Sequence, residues 1–218
     1  MNRWMPPLVF LTILVSTALA EVDDARKANL ARRAAEKEAA EKAVKELSAR
    51  NYGTLSADEF IRLAYAYNEL SNNQLALDAI CRVSDEVLAE KKQLDMKATC
   101  FHNASSGDDK SNRLRELAFI DRCLDKKYGN QGVWLWRKAR LVCQSSVDTR
   151  LLVGSVVGEN HVRIIDREQY EYSFELLQRA FSVEPKLLTL SGIGPDFTRN
   201  QDFPLLSDEA RFKELMKE

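Results

Sequence analysis

The chain has 218 residues, 45% of them hydrophobic and 30% charged, and a formal net charge of −1. That balance supports a folded core of one domain or a short repeat array. With no basic surplus, it excludes a general affinity for nucleic acid or for an anionic membrane surface. Eight glycines and five prolines, set among runs of Ala, Leu, Glu and Lys, favour helix.

Residues 1–20, "MNRWMPPLVFLTILVSTALA", carry Arg3, an apolar run from Leu8 to Val15, and small residues at Ala18 and Ala20. This reads as a secretory signal peptide cut after Ala20. The apolar run is too short for a standard spanning helix, so no membrane span is expected after cleavage. An anchor that is never cleaved is the alternative. Everything from Glu21 on is then expected in a secreted or periplasmic location, where cysteines tend to pair.

Residues 21–50 form a charged, Ala-rich helix with few large apolar residues. Glu38–Lys42 and Glu41–Lys45 stand at i,i+4 in the favourable order. The large residues keep no heptad, so a solvated lead-in helix is expected and a weak coiled-coil contact is the rival. "NYGTLS" breaks the pattern, and Ser56 with Glu59 has the spacing of a capping box. Phe60, Leu63, Ala64, Tyr67 and Leu70 then share one helical face. After "SNN", Leu75, Ala76, Ala79, Ile80, Val83 and Val87 make a second face. The pair predicts a helical hairpin.

Within "FIRLAYAYNELSNNQLALDAICRV", Phe60, Leu63, Ala64, Tyr67, Ala76, Ile80 and Val83 sit at large-apolar and small-residue positions. In this spacing the segment resembles a tetratricopeptide repeat. A second hairpin is read from "LDMKATCFHNAS" and "SNRLRELAFIDRCLDKKY", and a third from "VWLWRKARLVC" and "REQYEYSFELLQRAFSVEP". "LALDAIC" and "LAFIDRC" recur 42 residues apart, which is a helical-repeat period. The resemblance covers 56–185. The reading is an all-α fold: a short α-solenoid of about three tetratricopeptide-like helix-turn-helix repeats.

Residues 147–166, rich in β-branched residues, read as a small β-hairpin inserted in the third repeat. Its strands would be "RLLVGSVV" and "HVRII", turning at "GEN". It is either a loop excursion or a ribbon that touches a partner. The segment 186–218 reads as a C-terminal cap, with Phe197, Phe203, Leu206, Phe212 and Leu215 covering the last repeat.

The chemistry-bearing residues are few. There is no C-x-x-C and no H-x-x-x-H, so no metal site is expected. Only His102 and His161 could serve a thiol, and His102 lies two residues from Cys100, on a nearly opposite helical face. No phosphate loop or nucleotide fingerprint occurs. No catalytic residue and no cofactor are therefore expected. Cys81, Cys100, Cys123 and Cys143 are left as disulfide staples. Cys81–Cys100 with Cys123–Cys143 is preferred, since a duplicated unit would carry its own bridge. The Cys81–Cys100 midpoint at 90–91 falls at a handover, while the Cys123–Cys143 midpoint at Val133 falls two or three residues past the middle of the turn at 129–132. Cys81–Cys123 with Cys100–Cys143 is the rival. A loop of such length would contribute about 3 kcal/mol.

The resemblance implies a non-enzymatic module that binds a peptide or helix of a protein partner in its repeat groove. That groove would be lined by Arg62, Tyr65, Asn68 and Glu69, and by Lys97, Asn103, Arg137 and Arg140. Two other classes remain open: an assembly component that self-associates through the 21–50 helix, and a disulfide-rich repeat hydrolase.

Overall fold

The computed structural model describes residues 7–105, 110–148, 163–189, 210 and 214, with side chains described from Asp24. The chain divides into two compact units, Met1–Ser84 and Asp85–Glu218. The regular elements among the described residues are helices and one two-residue ladder. No helix among them is long and apolar enough to cross a membrane. Of the cap expected at 186–218 only 186–189, 210 and 214 are described, and Phe197, Phe203, Leu206, Phe212 and Leu215, like the side chains of the signal segment, lie outside the described residues.

In the first unit, α1 (Pro7–Ser48) leads to α2 (Ala57–Glu69) and α3 (Asn73–Ile80). The capping box forms: Glu59 N–H donates to Ser56 Oγ at 3.3 Å, and Ser56 N–H donates to Glu59 Oε2 at 2.8 Å. Two orphan donors at the start of α2 are thereby satisfied. Phe60, Leu63, Ala64 and Tyr67 are buried, as are Ala76, Leu77 and Ile80 of α3. Leu75, expected on that inner face, is exposed.

Residues 24–39 of α1 are exposed on every side, as a lead-in helix would be. Its last turns are not solvated. Ala40 and Ala43 pack on Ala66 of α2, with Val44 and Leu70 at the margin. Small residues let the two backbones approach. Arg62 reaches Glu46 at 3.2 Å, and Arg50 pairs with Glu59.

The second unit holds α4 (Asp85–Glu90), α5 (Leu94–Ala104), α6 (Lys110–Asp125), α7 (Gln131–Ser146) and α8 (Arg167–Val183). The helix expected across 75–87 is broken: Cys81–Ser84 interrupts it, and Asp85 opens a new one. Phe119 stacks between Phe101 and Trp134, each ring 5.8 Å away, and so joins α5, α6 and α7. Helices α7 and α8 enclose a core that includes Ala139, Cys143, Tyr170, Leu177 and Ala180. Gly132, in the first turn of α7, allows this closeness. A Cβ there would lie 2.4 Å from Cβ of Glu184.

The inserted β-hairpin is corrected. Among the described residues the only strands are β1 (Val147–Asp148) and β2 (Arg163–Ile164), paired antiparallel. A turn at "GEN" would set Ile164 opposite Gly154, yet Ile164 pairs with Val147. Burial decides the register. Val147 belongs to the α7–α8 core and Ile164 packs against it. The rest of the insertion lies outside the described residues.

Three helix ends share one device. Asn72 N–H donates to Tyr67 O at 2.8 Å, Gln93 N–H to Leu88 O at 2.7 Å, and Tyr128 N–H to Cys123 O at 2.9 Å. Each is the six-to-one bond of a Schellman motif. The residues before them, Ser71, Lys92 and Lys127, hold φ of 57°, 56° and 54°. Glycine is the usual occupant, since a Cβ in this region costs about 1–2 kcal/mol. Ser71→Gly, on the exposed turn, is expected to stabilise the first unit by about 1 kcal/mol after glycine's greater chain entropy is deducted. Urea unfolding followed by circular dichroism would measure it, and a loss of stability would refute the strain.

Candidate interaction surfaces and the buried charge cluster

Helix α2 buries one side, so its other side is available. Arg62, Tyr65 and Glu69 recur at i, i+3 and i+7 along that outer face, with half-buried Asn68 beside them. Tyr65 is 44% exposed. A large ring left partly in water on a helix that otherwise buries its large apolar residues is a feature of binding faces. The structure thus keeps all four of the expected first-unit residues on or near one accessible stripe.

The second-unit residues expected in the groove behave differently. Lys97 and Arg140 are buried, Arg137 is nearly so, and Asn103 is half-buried. The charges of Lys97, Arg137 and Arg140 are each faced by an acid of the same unit. Lys97 Nζ lies 2.7 Å from Asp85 Oδ1, and Arg122 Nε lies 3.0 Å from the other oxygen. Arg137 faces Asp95 at 3.5 Å, and Arg140 faces Glu116 at 3.8 Å. Arg140 also meets His102 Nδ1 at 3.2 Å. An open groove lined by Lys97 and Arg140 is therefore corrected. Helix α5 buries Leu94, Met96, Lys97, Ala98, Cys100 and Phe101, which leaves Lys97 no solvated face to occupy.

The acids in this cluster are shifted in opposite directions. Burial would raise the Asp85 carboxyl, but the hydrogen bonds and charges of Lys97 and Arg122 outweigh it and hold it below its ordinary range. Burial raises Glu116, and the charges of Arg140, Arg137 and Arg113 offset this only in part. Neither Glu116 oxygen accepts a hydrogen bond. A raised carboxyl can serve as a general acid, but Glu116 is fully buried, and no substrate atom can reach it.

None of the four cysteines is joined in a disulfide, so the expected staples are corrected. Cys81 follows α3 in the first unit, and the other three sit on α5, α6 and α7 in the second. Cys123 lies within the field of Asp85, whereas Cys143 bonds Ser173 of α8. The two thiols face different neighbours. Burial pushes both up to about 12, so neither supplies a thiolate near neutrality. No cluster of His, Cys, Asp or Glu among the described residues could hold a metal ion.

Two concavities open on the second unit. One of about 140 Å³ lies beside Lys92, Asp95 and Trp134. The other, of about 580 Å³, runs between α6, α7 and α8, with Leu124, Leu135 and Leu176 among its lining. No sequence pattern singled out the larger one. Its only signal was the stripe Tyr172, Leu176, Arg179 and Val183 at i, i+4, i+7 and i+11 on α8. No protein-family model, no curated protein and no solved structure matches the chain.

Proposed function

We propose that the chain is a non-enzymatic interaction module of an exported compartment, in which about three tetratricopeptide-like helix pairs present a partner-binding face. The successive packing of α2 on α3, α5 on α6 and α7 on α8 supports the repeat reading. The signal-like segment at 1–20 supports export. One observation carries the binding reading: Tyr65 stands exposed between Arg62 and Glu69 on a helix whose other face is core. A peptide or helix of a partner would place an apolar residue on that ring and polar residues at the two charges.

Capture from the native envelope or medium, followed by titration of the purified partner, tests this. Tyr65→Ala is expected to weaken affinity about tenfold or more, while the melting curve shifts only slightly because nearly half of the residue is in water. Unchanged affinity would remove α2 as the docking face.

A second reading is self-association through the 21–50 helix. The all-round exposure of 24–39 favours it, because a helix polar on every side gains little from its own fold. Deleting 21–50 would strip Ala40, Ala43 and Leu47 from the core. Deleting 21–39 leaves them in place. If the helix assembles the protein, sedimentation shows an oligomer that this shorter deletion returns to monomer.

A further inference from the structure

Arg140 of α7 stands between acceptors on two other helices. Its Nη2 lies 3.2 Å from His102 Nδ1 on α5 and 3.8 Å from Glu116 Oε1 on α6. The first distance is a hydrogen bond, and the second is about 1 Å too long for a charge-assisted one. A guanidinium is always protonated and can only donate. Nδ1 therefore accepts, and the His102 imidazole is neutral with its proton on Nε2.

Glu116 is left short. It is fully buried, and neither of its oxygens accepts a hydrogen bond. A buried carboxylate in that state costs stability, since its lost hydration is not replaced. The cations that face it are Arg137 and Arg140 from α7 and Arg113 from its own helix. Arg137 is also drawn toward Asp95 of α5, at 3.5 Å. Arg140 is drawn toward His102, and its guanidinium lies 5.4 Å over the Trp136 ring. The carboxylate thus has cations around it and no donor within bonding distance.

A proton on Nδ1 changes this balance. It replaces the acceptor by a donor and sets two cations 3.2 Å apart. Histidine ordinarily takes up that proton at about pH 6.5. His102 is exposed, so solvent protons reach it directly. Arg140 is then repelled from α5, and the Glu116 carboxylate needs a shift of only about 1 Å to receive it.

We infer that Arg140 is a proton-operated latch: it ties α5 to α7 while His102 is neutral, and moves onto Glu116 of α6 once His102 is protonated. Helices α5 and α7 both pack on α6, so the move loosens α5 and tightens α6 against α7. The tie to α5 is complete above about pH 6.5 and is lost as pH falls through that value. In stronger acid, once Glu116 is itself protonated, Arg140 has no carboxylate to receive it. The latch lies within the second unit and is independent of the α2 face.

Cys100 of the full-length chain reads the tie, because it is fully buried on α5. Its modification by a dithiodipyridine, which reacts in mild acid, is divided by the rate in the urea-unfolded chain at the same pH. That ratio cancels the titration of the thiol itself. It should rise about tenfold between about pH 7.5 and about pH 5.5, the effect of losing one hydrogen bond to a charged group. Cys143, on α7 and bonded to Ser173 of α8, should show no such rise. His102→Asn keeps an acceptor near the Nδ1 position and does not titrate, so Cys100 should stay slow at both pH values. His102→Ala should make it fast at both. In the unaltered protein, the guanidinium signals of Arg140 in nuclear magnetic resonance should move with the same midpoint as the His102 ring.

A pH rise that persists in His102→Asn overturns the proposal, since another group would then be the sensor. Cys100 as slow in His102→Ala as in wild type overturns it as well, because the contact would tie nothing. Arg140 signals that stay fixed while His102 titrates overturn the movement onto Glu116.

Discussion

Asp85→Ala is expected to lower the stability of the second unit by about 3 kcal/mol, the lower end of the cost of breaking a buried pair. The lower end applies because Arg122, one of the two partners, is half exposed and already screened. The main cost falls on Lys97. Its side chain is 7% exposed, and without the carboxylate an ammonium group is left inside the fold with only the Phe119 ring, 5.4 Å away, to receive it. Replacing both residues, Asp85→Ala with Lys97→Met, should recover most of the loss, since an apolar pair removes the stranded charge.

The pH dependence has a fixed sign. The Asp85 carboxyl is held below its ordinary range in the fold, so its contribution is full above the unfolded value of about 3.9 and is lost as pH falls below it. Glu116 runs the other way. Its carboxyl is raised, so protonation in acid removes a buried charge and adds stability as pH falls toward the unfolded value. Urea titrations from pH 7 down to pH 3 should give a flatter acid limb for Asp85→Ala than for wild type. A parallel limb would mean that Asp85 is not the carboxylate whose protonation matters.

Phe119→Ala is expected to cost the second unit about 3–5 kcal/mol, the range for emptying a buried aromatic position. Phe119 is fully buried, and its ring meets Trp134 edge-on at 85°. Lys97 and Arg122 lie over it at 5.4 Å and 6.0 Å, so both cations that hold Asp85 also rest on this ring. Phe119→Leu should lose less, because most of the volume remains. Trp134 emission, in a chain whose Trp4 and Trp136 are replaced by Phe, offers the readout, its indole being held by a 2.7 Å bond to Tyr128 O. A Phe119→Ala protein as stable as wild type would mean that the three-ring stack is not a core element.

The parts of this fold legible in the sequence are those set by near neighbours. Ser56 and Glu59 are three residues apart, and their capping box forms as spaced. Phe60, Leu63, Ala64 and Tyr67 of α2 are buried as their spacing requires. What the sequence hid depends on distant partners. Lys97 has an ordinary surface-lysine context, and nothing local says that Asp85, twelve residues earlier, and Phe119, on another helix, will enclose it. Arg140 and Glu116 are hidden for the same reason. The β1–β2 register was set by the core beneath Val147 and Ile164 rather than by the turn residues. The Cys81–Cys100 midpoint fell at the break between α4 and α5, while that of Cys123–Cys143 fell inside α7, and a handover does not by itself aim two sulfurs at each other.

The thiols give this chain its own set of clocks. Cys100, Cys123 and Cys143 lie one each on α5, α6 and α7, and none exposes surface. A maleimide can reach each sulfur only when its helix lifts away. Labelling rates followed by peptide mass mapping would therefore report the opening free energy of three successive helices in one unmodified protein. The order in which they label would say whether the second unit comes apart from one end or all at once.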